Sequence, residues 1–297
     1  MDATTVSTAS IVNALSFDVE DYFHVAAFDA AIDRASWNDR PRRVDANTRG
    51  LLDLLSEAGT RATFYVLGWV AEREPDLVKA IAAAGHEVAS HGYSHRLIYR
   101  QDPAEFREET RRSKALLEDL TGTPITSYRA ASYSITAQSL WALDILYECG
   151  FRTDSSIFPI RHDLYGLAGG PIYPHRLQLD GGGELLEFPI STLKVAGLTL
   201  PVSGGGYFRL YPYALSRMLA RRVNAQHRPF MFYLHPWEID PEQPRIDAGA
   251  FSRFRHYNNL EKCRSRLVRL LQDFRFSTVS DSIARNYHVA DLPVHSY

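Results

Sequence analysis

The chain has 297 residues, of which 45% are hydrophobic and 23% are charged, and its formal net charge at pH 7 is -2. This composition is typical of a globular protein, and the near-neutral charge excludes the basic surface that nucleic-acid-binding proteins carry. No run approaches the roughly 18 apolar residues of a membrane span, and the N-terminus lacks the basic start of a secretion signal. We therefore expect a cytoplasmic protein, one that could also act at the inner face of the membrane.

Short runs of β-branched and aromatic residues alternate with helical patterns through the first half of the chain. The first strand is predicted at 12–19 (VNALSFDV), and the first helix runs from Val44 to Ala58 and stops at Gly59. Further strands are predicted in RATFYVLG, HEVASHG, ITSYRAA and FRTDSSIF, with helical patterns between them. A spacing of roughly 25 to 35 residues between strands predicts βα units in a parallel sheet. So many units in a chain of this length favour a barrel over an open sheet.

The regular alternation stops between Pro159 and Gly206, where Gly and Pro are frequent. We expect loops and short antiparallel hairpins in this region. After it the pattern predicts a helix (YALSRMLARRVNAQ), a strand (PFMFYLHP), an amphipathic helix around Asn259 to Asp273 and a last strand (FRFSTVS).

Almost every predicted strand ends in polar side chains that could take part in chemistry. They are Asp18, Glu20 and Asp21 after the first strand, His91 and His95 in SHGYSH, Arg129 after the fourth strand, Asp154 in the fifth strand, and His235 after FMFYL. In a parallel barrel the carboxyl ends of the strands meet at one rim, and active sites lie there. We therefore expect these side chains to converge on one site.

His91 and His95 are four residues apart, a spacing that allows both imidazoles to reach one metal ion. With one carboxylate they form a donor set for a borderline divalent cation and leave positions open for water and substrate. Zn²⁺ is the expected ion, with Co²⁺, Mn²⁺ and Ni²⁺ as alternatives. Strand alternation puts Asp18 and Glu20 on one side and Asp21 on the other. We assign Glu20 to the metal and Asp18 to proton transfer, and keep Asp21 as the alternative ligand.

These residues occur in five motifs, and through them the chain resembles the NodB-like polysaccharide deacetylases of carbohydrate esterase family four. The motifs are SFDVED, SHGYSH, YRAASYSI, TDSSIF and YLHPWE, in this order along the chain. The long tail after GGGYF and the LHPWEID ending are most similar to the subgroup found in exopolysaccharide loci with exosortase systems. Two positions depart from the family pattern. The usual adjacent aspartates are spread to Asp-Val-Glu-Asp at 18–21, and Ala131 stands in place of the usual proline.

The resemblance implies a fold, a domain organisation and an activity. The fold would be α/β, a distorted and incomplete (β/α)7 barrel. The whole chain (1–297) would form a single deacetylase domain, with an irregular insertion at about 159–206 and a subgroup-specific C-terminal region at about 207–297. The activity would be metal-dependent hydrolysis of N-acetyl groups on a polysaccharide or oligosaccharide, in exopolysaccharide biosynthesis.

The resemblance also implies a role for each residue at a strand end. Asp18 would accept the proton of the attacking water, with Arg129 holding it ionised. His235 would protonate the leaving amine, and Asp154 would orient His235. The metal and a backbone N–H near Tyr133 would stabilise the oxyanion. An apolar pocket for the acetyl group or the sugar would be lined by Tyr133, Phe158, Tyr207 and Trp237.

Two other functions stay open on the residues alone. Two histidines and a carboxylate also suit the Fe(II) of a non-haem oxygenase. A barrel of this kind could also bind glycans without catalysing a reaction. The additional Asp18, Arg129 and His235 favour the hydrolase over both alternatives.

Overall fold

A computed structural model describes residues 11–160, 165–195 and 197–297 of the chain. The irregular region predicted at 159–206 therefore has gaps at 161–164 and 196. Residues 1–10, the start of the N-terminal segment that was compared with secretion signals, also lie outside the described residues. Within the described part of the chain, no helix is both long and apolar enough to cross a membrane.

Twelve strands lie within the described residues, most of them short. They are β1 (Asn13–Val19), β2 (Thr63–Val66), β3 (Glu87–Ser90), β4 (Ser127–Tyr128), β5 (Thr153–Asp154), β6 (His175–Gln178), β7 (Glu184–Glu187), β8 (Thr192–Val195), β9 (Leu198–Pro201), β10 (Met231–Leu234), β11 (Phe276–Ser277) and β12 (Val294–His295).

Ten α-helices accompany these strands in the same described ranges. They are α1 (Val44–Glu57), α2 (Gly68–Arg73), α3 (Pro75–Ala83), α4 (Pro103–Thr121), α5 (Trp141–Glu148), α6 (Gly205–Leu210), α7 (Tyr213–Asn224), α8 (Ala250–Tyr257), α9 (Leu260–Asp273) and α10 (Val279–Asn286).

The main sheet is mostly parallel, in the order β10-β1-β2-β3-β4-β5-β7-β6-β12, with β11 pairing the start of β1. Only the β6–β7 pair in it is antiparallel, among the described residues, and β8 and β9 form a separate antiparallel hairpin. The order of the first five strands confirms the predicted series of βα units. Because the two ends of this described path do not pair with each other, the barrel is incomplete, as expected.

Strand β1 is an interior strand of this sheet, and all seven of its residues are buried. Its neighbours are β2 on one side and β10 on the other. A strand with parallel partners on both sides is covered on both faces, which explains the continuous apolar run of VNALSFDV. The strand from the C-terminal half, β10, thus completes the sheet begun by the N-terminal half.

Two predicted helix signals are present in the structure. The side chain of Asp102 accepts hydrogen bonds from the N–H groups of Ala104 and Glu105 and forms the expected capping box of α4. Gly59 adopts a φ of 59° just beyond α1, a backbone conformation that glycine tolerates at a helix end. The strands β4 and β5 are shorter than predicted, two residues each, and the pattern did not indicate α2, α6, α8 or α10.

Candidate active site

The parallel register brings the ends of the central strands to one edge. Phe17 of β1 pairs with Leu234 of β10, so the next residues, Asp18 and His235, are neighbours across the two strands. On the other side, Ser90 of β3 pairs with Tyr128 of β4. The residues that follow this pair are His91 and Arg129, so four of the predicted side chains begin at the same edge.

Three of the predicted residues form a cluster that could hold a metal ion. Glu20, His91 and His95 each offer one ligand atom, and these atoms lie within 4.8 Å of one another. All three side chains are buried. The segment between the two histidines is a loop with left-handed backbone at Gly92 and His95 (φ 74° and 53°), which turns the second imidazole back towards the first.

The hydrogen bond of His91 leaves one ring nitrogen available for a metal. Its Nδ1 lies 2.9 Å from the carbonyl oxygen of Arg129. Since a carbonyl can only accept, Nδ1 carries the hydrogen and Nε2 carries the lone pair. Burial lowers the pKa of His91 to about 4, so the ring is neutral, the form that binds a cation.

The structure brings Glu20, not Asp21, to the two histidines. Strand β1 ends at Val19, and Oε2 of Glu20 lies 2.6 Å from Nε2 of His95. Burial raises the pKa of Glu20, but His95 and His235 outweigh it and hold the pKa well below its usual range.

The carboxylate of Asp21 has a different environment. Its Oδ2 accepts hydrogen bonds from the N–H groups of Arg43 and Val44 at the start of α1, at 2.7 and 3.0 Å, and its Oδ1 accepts one from Tyr22. Asp21 is thus occupied at a helix N-terminus and does not belong to the cluster of Glu20, His91 and His95.

Asp18 and Arg129 form the expected ion pair. Nη1 of Arg129 lies 2.6 Å from Oδ1 of Asp18 and 2.9 Å from Oγ of Ser16, and both members of the pair are buried. The guanidinium also lies over the ring of Tyr65, 4.0 Å from its centroid. Burial lowers the pKa of Arg129, but Asp18 and the neighbouring tyrosines raise it by more. The net pKa lies above the usual value for arginine, so the side chain stays charged beside the carboxylate.

His235 completes the cluster from the side of β10. Its Nε2 lies 3.7 Å from Oε1 of Glu20 and 3.9 Å from Oδ2 of Asp18. Its Nδ1 lies 2.8 Å from Oε1 of Glu238, which also accepts the backbone N–H of His235. Burial lowers the pKa of His235, but these carboxylates together raise it to about 9. The imidazole is therefore protonated at neutral pH and directs Nε2 towards Asp18 and Glu20.

The expectation that Asp154 orients His235 is wrong. Asp154 ends β5, and its side chain accepts hydrogen bonds from the N–H and the hydroxyl of Ser156, at 3.2 and 2.6 Å. It also shares a hydrogen bond with the buried carboxyl of Glu187. Its oxygens thus hold the turn after β5. The Nδ1 atom of His235, which Asp154 was expected to bind, is hydrogen-bonded to Glu238 instead.

The predicted oxyanion donor and pocket are only partly as expected. The N–H of Tyr133 donates to the carbonyl of Ala130 at 3.1 Å, so this N–H is engaged within its own turn. The rings of Tyr133, Tyr207 and Trp237 line the cavity, whereas Phe158 is buried behind Tyr133 and does not line it.

Sequence reasoning missed two residues that support His235. Glu238 accepts from Nε of Arg209 through Oε2 at 2.7 Å, and both side chains are buried. Burial raises the pKa of Glu238, but Arg209 and His235 outweigh it and lower the pKa to about 2. The available signals were the Glu three residues after His235 in HPWE and the GGGYFR segment. In that segment, a Cβ on Gly205 would lie 1.9 Å from the Glu238 oxygens.

Trp237 links the metal cluster to the C-terminal half of the chain. Its Nε1 donates to Oε1 of Glu20 at 3.2 Å. Its ring is stacked between the imidazoles of His235 and His256, with centroid distances of 4.9 and 4.1 Å. All of these groups face one cavity of about 790 Å³, large enough for a sugar ring.

Comparison with known families agrees with this site. Residues 33–153 match the family model described as polysaccharide deacetylase. This match covers less than half of the chain. Residues 155–284 match a second model, described as domain of unknown function DUF3473. The deacetylase match includes His91, His95 and Arg129, whereas His235, Glu238 and the other supporting residues lie in the second match.

Two curated deacetylases are similar to parts of this chain. A peptidoglycan-N-acetylglucosamine deacetylase of Bacillus cereus is 36% identical over 174 residues, which are 52% of this chain and 62% of that protein. A chitooligosaccharide deacetylase of Bradyrhizobium is 30% identical over 99 residues, which are 33% of this chain and 43% of that protein. The chain thus spans 43% and 62% of the lengths of these relatives.

The fold of the chain resembles that of a solved structure. The crystal structure of a "probable polysaccharide deacetylase" from Pseudomonas aeruginosa has a TM-score of 0.57 and 17% identity. The alignment covers 94% of this chain and 91% of the other. At this identity the likeness concerns the fold, which is the NodB-like incomplete barrel.

Proposed function

We propose that the protein is a metal-dependent hydrolase that removes N-acetyl groups from an N-acetylated polysaccharide or oligosaccharide. One observation carries the proposal. The Glu20, His91 and His95 cluster faces a buried carboxylate, Asp18, and an imidazole, His235, in a single cavity. Metal-dependent hydrolysis of an amide uses three groups together: a metal ion as Lewis acid, a general base and a general acid.

The residues of the cluster fit a Zn²⁺ ion. Two imidazole nitrogens and one carboxylate oxygen are the donors of many catalytic zinc sites, and the Arg129 carbonyl already sets the tautomer of His91. A bound ion would supply Lewis acidity to the acetamide carbonyl and to a water molecule. Co²⁺, Mn²⁺ and Ni²⁺ suit the same donors. Adding each ion to the metal-free protein and measuring acetate release compares them with Zn²⁺.

Asp18 is proposed as the general base. Its Oδ1 is held by Arg129, and its Oδ2 lies on the side of His235. The charge of Arg129 favours the carboxylate form, which accepts a proton from the attacking water. Because Asp18 does not belong to the metal cluster, proton transfer and metal binding rest on different side chains.

His235 is proposed as the general acid. Its Nδ1–H is held by Glu238, so the proton on Nε2 is the one that can be donated to the amine nitrogen as the C–N bond breaks. Asp18 gains one proton from water and His235 loses one to the amine, so the products are acetic acid, which ionises to acetate in solution, and the free amine. Asp18 then releases its proton and His235 takes one up before the next turnover. Glu238, fixed by Arg209, is proposed to position the imidazole.

The two other candidate functions are less well supported. A non-haem iron oxygenase would use the same three ligands but has no role for the Asp18–Arg129 pair or for a protonated His235. A non-catalytic glycan-binding protein has no need of a buried acid and base in its cavity. The resemblance of GGGYF and LHPWEID to an exopolysaccharide-locus subgroup leads us to propose exopolysaccharide biosynthesis as the setting.

The test is acetate release from N-acetylated oligosaccharides by purified protein. The metal-free protein should be inactive, and Zn²⁺ should restore activity. Asp18→Asn should bind the metal normally and lower turnover by about 10²–10⁴-fold, the contribution of a positioned base. Activity that persists without metal, or an Asp18→Asn variant at the wild-type rate, would overturn the mechanism.

A further inference from the structure

Three large apolar side chains are exposed at the cavity of the candidate active site. Phe251 is 72% exposed, Phe254 is 56% exposed and Leu210 is 50% exposed, and all three line this cavity. Phe251 and Phe254 lie three residues apart in α8 and therefore on one face of the helix. Exposed apolar groups that gather around one cavity indicate a binding surface.

The position of α8 is fixed by the charge network behind His235. Arg209 donates hydrogen bonds to the carbonyl oxygens of Arg255, His256 and Asn258, at 3.1, 2.9 and 2.8 Å. The ring of His256 is stacked on Trp237. The aromatic face of α8 therefore has a defined place relative to the residues proposed for catalysis.

The surroundings of the two phenylalanines combine apolar and charged groups. The guanidinium of Arg255 lies 5.5 Å from the Phe251 ring. Asp29 and Arg100 line the same cavity, 3.8 Å apart at their closest charged atoms. A sugar ring has apolar C–H faces and a polar hydroxyl edge, which match aromatic rings beside hydrogen-bonding charges. A lipid chain would remove water from these charged groups and offer them no hydrogen bonds in return, which costs free energy.

We propose that α8 is a sugar-stacking platform, in which Phe251 and Phe254 bind glycan residues next to the one that carries the reacting N-acetyl group. The platform rests on the proposed deacetylase function and specifies its substrate as a chain of sugars rather than a single amino sugar. It also gives a role to part of residues 155–284, the segment that matches a domain of unknown function.

The experiment compares N-acetylated chitin oligosaccharides of two and six sugar units. The ratio of kcat/KM for the long to the short substrate should fall about two- to tenfold in Phe251→Ala and in Phe254→Ala, the range expected for loss of one stacking contact. Phe254→Tyr should keep the wild-type ratio, because tyrosine retains the aromatic ring. Met218→Ala is the matched control, because Met218 is an exposed apolar residue of α7 that does not line the cavity.

An unchanged ratio in both alanine variants would overturn the platform. It would also be overturned if these variants kept the ratio but lost binding to vesicles of phosphatidylglycerol and phosphatidylethanolamine, since the surface would then serve a membrane. If the wild-type protein released no acetate from either substrate, the deacetylase function would fail instead. Calorimetric binding of the six-unit oligosaccharide then tests the platform alone: weaker binding in the alanine variants supports it, and equal binding overturns it.

Discussion

The Nδ1 atom of His235 lies 2.8 Å from Oε1 of Glu238, and the other oxygen of Glu238 is held by Arg209. The three side chains form a series of alternating charge, in which Arg209 and Glu238 are buried and His235 is partly exposed at the cavity. All three lie in the half of the chain that matches the domain of unknown function. The acid side of the proposed active site therefore depends on that segment, and the metal side largely on the deacetylase match.

Glu238→Gln should move the alkaline limit of activity to lower pH. The Glu238 carboxylate stabilises the protonated imidazole, so its loss lowers the pKa of His235, which is about 9 in the wild-type protein. A general acid must be protonated, so activity is present below this pKa and lost as pH rises through it. Since a bound cation opposes protonation of His235, the limit in the metal-loaded protein should lie somewhat below 9.

The measurement is kcat/KM across pH for both proteins, with the His235 titration followed by NMR. An alkaline limit at the same pH in Glu238→Gln and wild type would show that another group donates the proton. Glu242→Gln is the control, because Glu242 is exposed and lies near the same turn.

His91→Ala and His95→Ala should each weaken metal binding by about 100-fold or more, since even loss of an outer partner of a ligand costs 10–100-fold. Both residues lie at a strand-end loop, so the fold should persist. Metal content by elemental analysis and circular dichroism measure the two effects. His288→Ala, an exposed histidine, is the control. Unfolding of either variant would point to a structural site.

Gly205→Ala should lower turnover by roughly 100-fold without touching a catalytic group, because small displacements of positioning residues have effects of this size. The new Cβ would lie 1.9 Å from the Glu238 oxygens, which Arg209 and His235 hold in place. Gly206→Ala is the control, since its Cβ would meet nothing within 4 Å. Equal rates for the two variants would show that the position of Glu238 is unimportant.

Asp21→Ala should reduce the free energy of unfolding by about 1–2 kcal/mol, the cost of a lost helix cap, and keep the metal. Its carboxylate accepts two N–H groups at the start of α1. Asp45→Ala is the control: Asp45 is an exposed carboxylate in the first turn of α1, and its loss should cost under about 0.5 kcal/mol. Urea denaturation measures both values. Loss of the metal in Asp21→Ala would show that Asp21 is a metal ligand.

The sequence by itself determined which side chains meet at the edge of the sheet. Asp18 lies at the end of a strand that the hydrophobic pattern identifies, and His91, Arg129 and His235 follow such strands. Parallel strands bring their carboxyl ends together. This relationship needs only the strand positions and the parallel direction, so local patterns are sufficient to predict it. The pairing of Asp18 with Arg129 followed from the family motifs on the same basis.

Only the tertiary structure decided between neighbouring carboxylates. Glu20 rather than Asp21 reaches the histidines because β1 ends at Val19, and side-chain alternation carries no information beyond a strand end. Glu238 rather than Asp154 holds His235 because the chain turns back directly after β10, whereas Asp154 is taken by the turn after β5. Such choices depend on side-chain directions within a few ångströms, which the packing of the whole sheet sets and a local pattern does not contain.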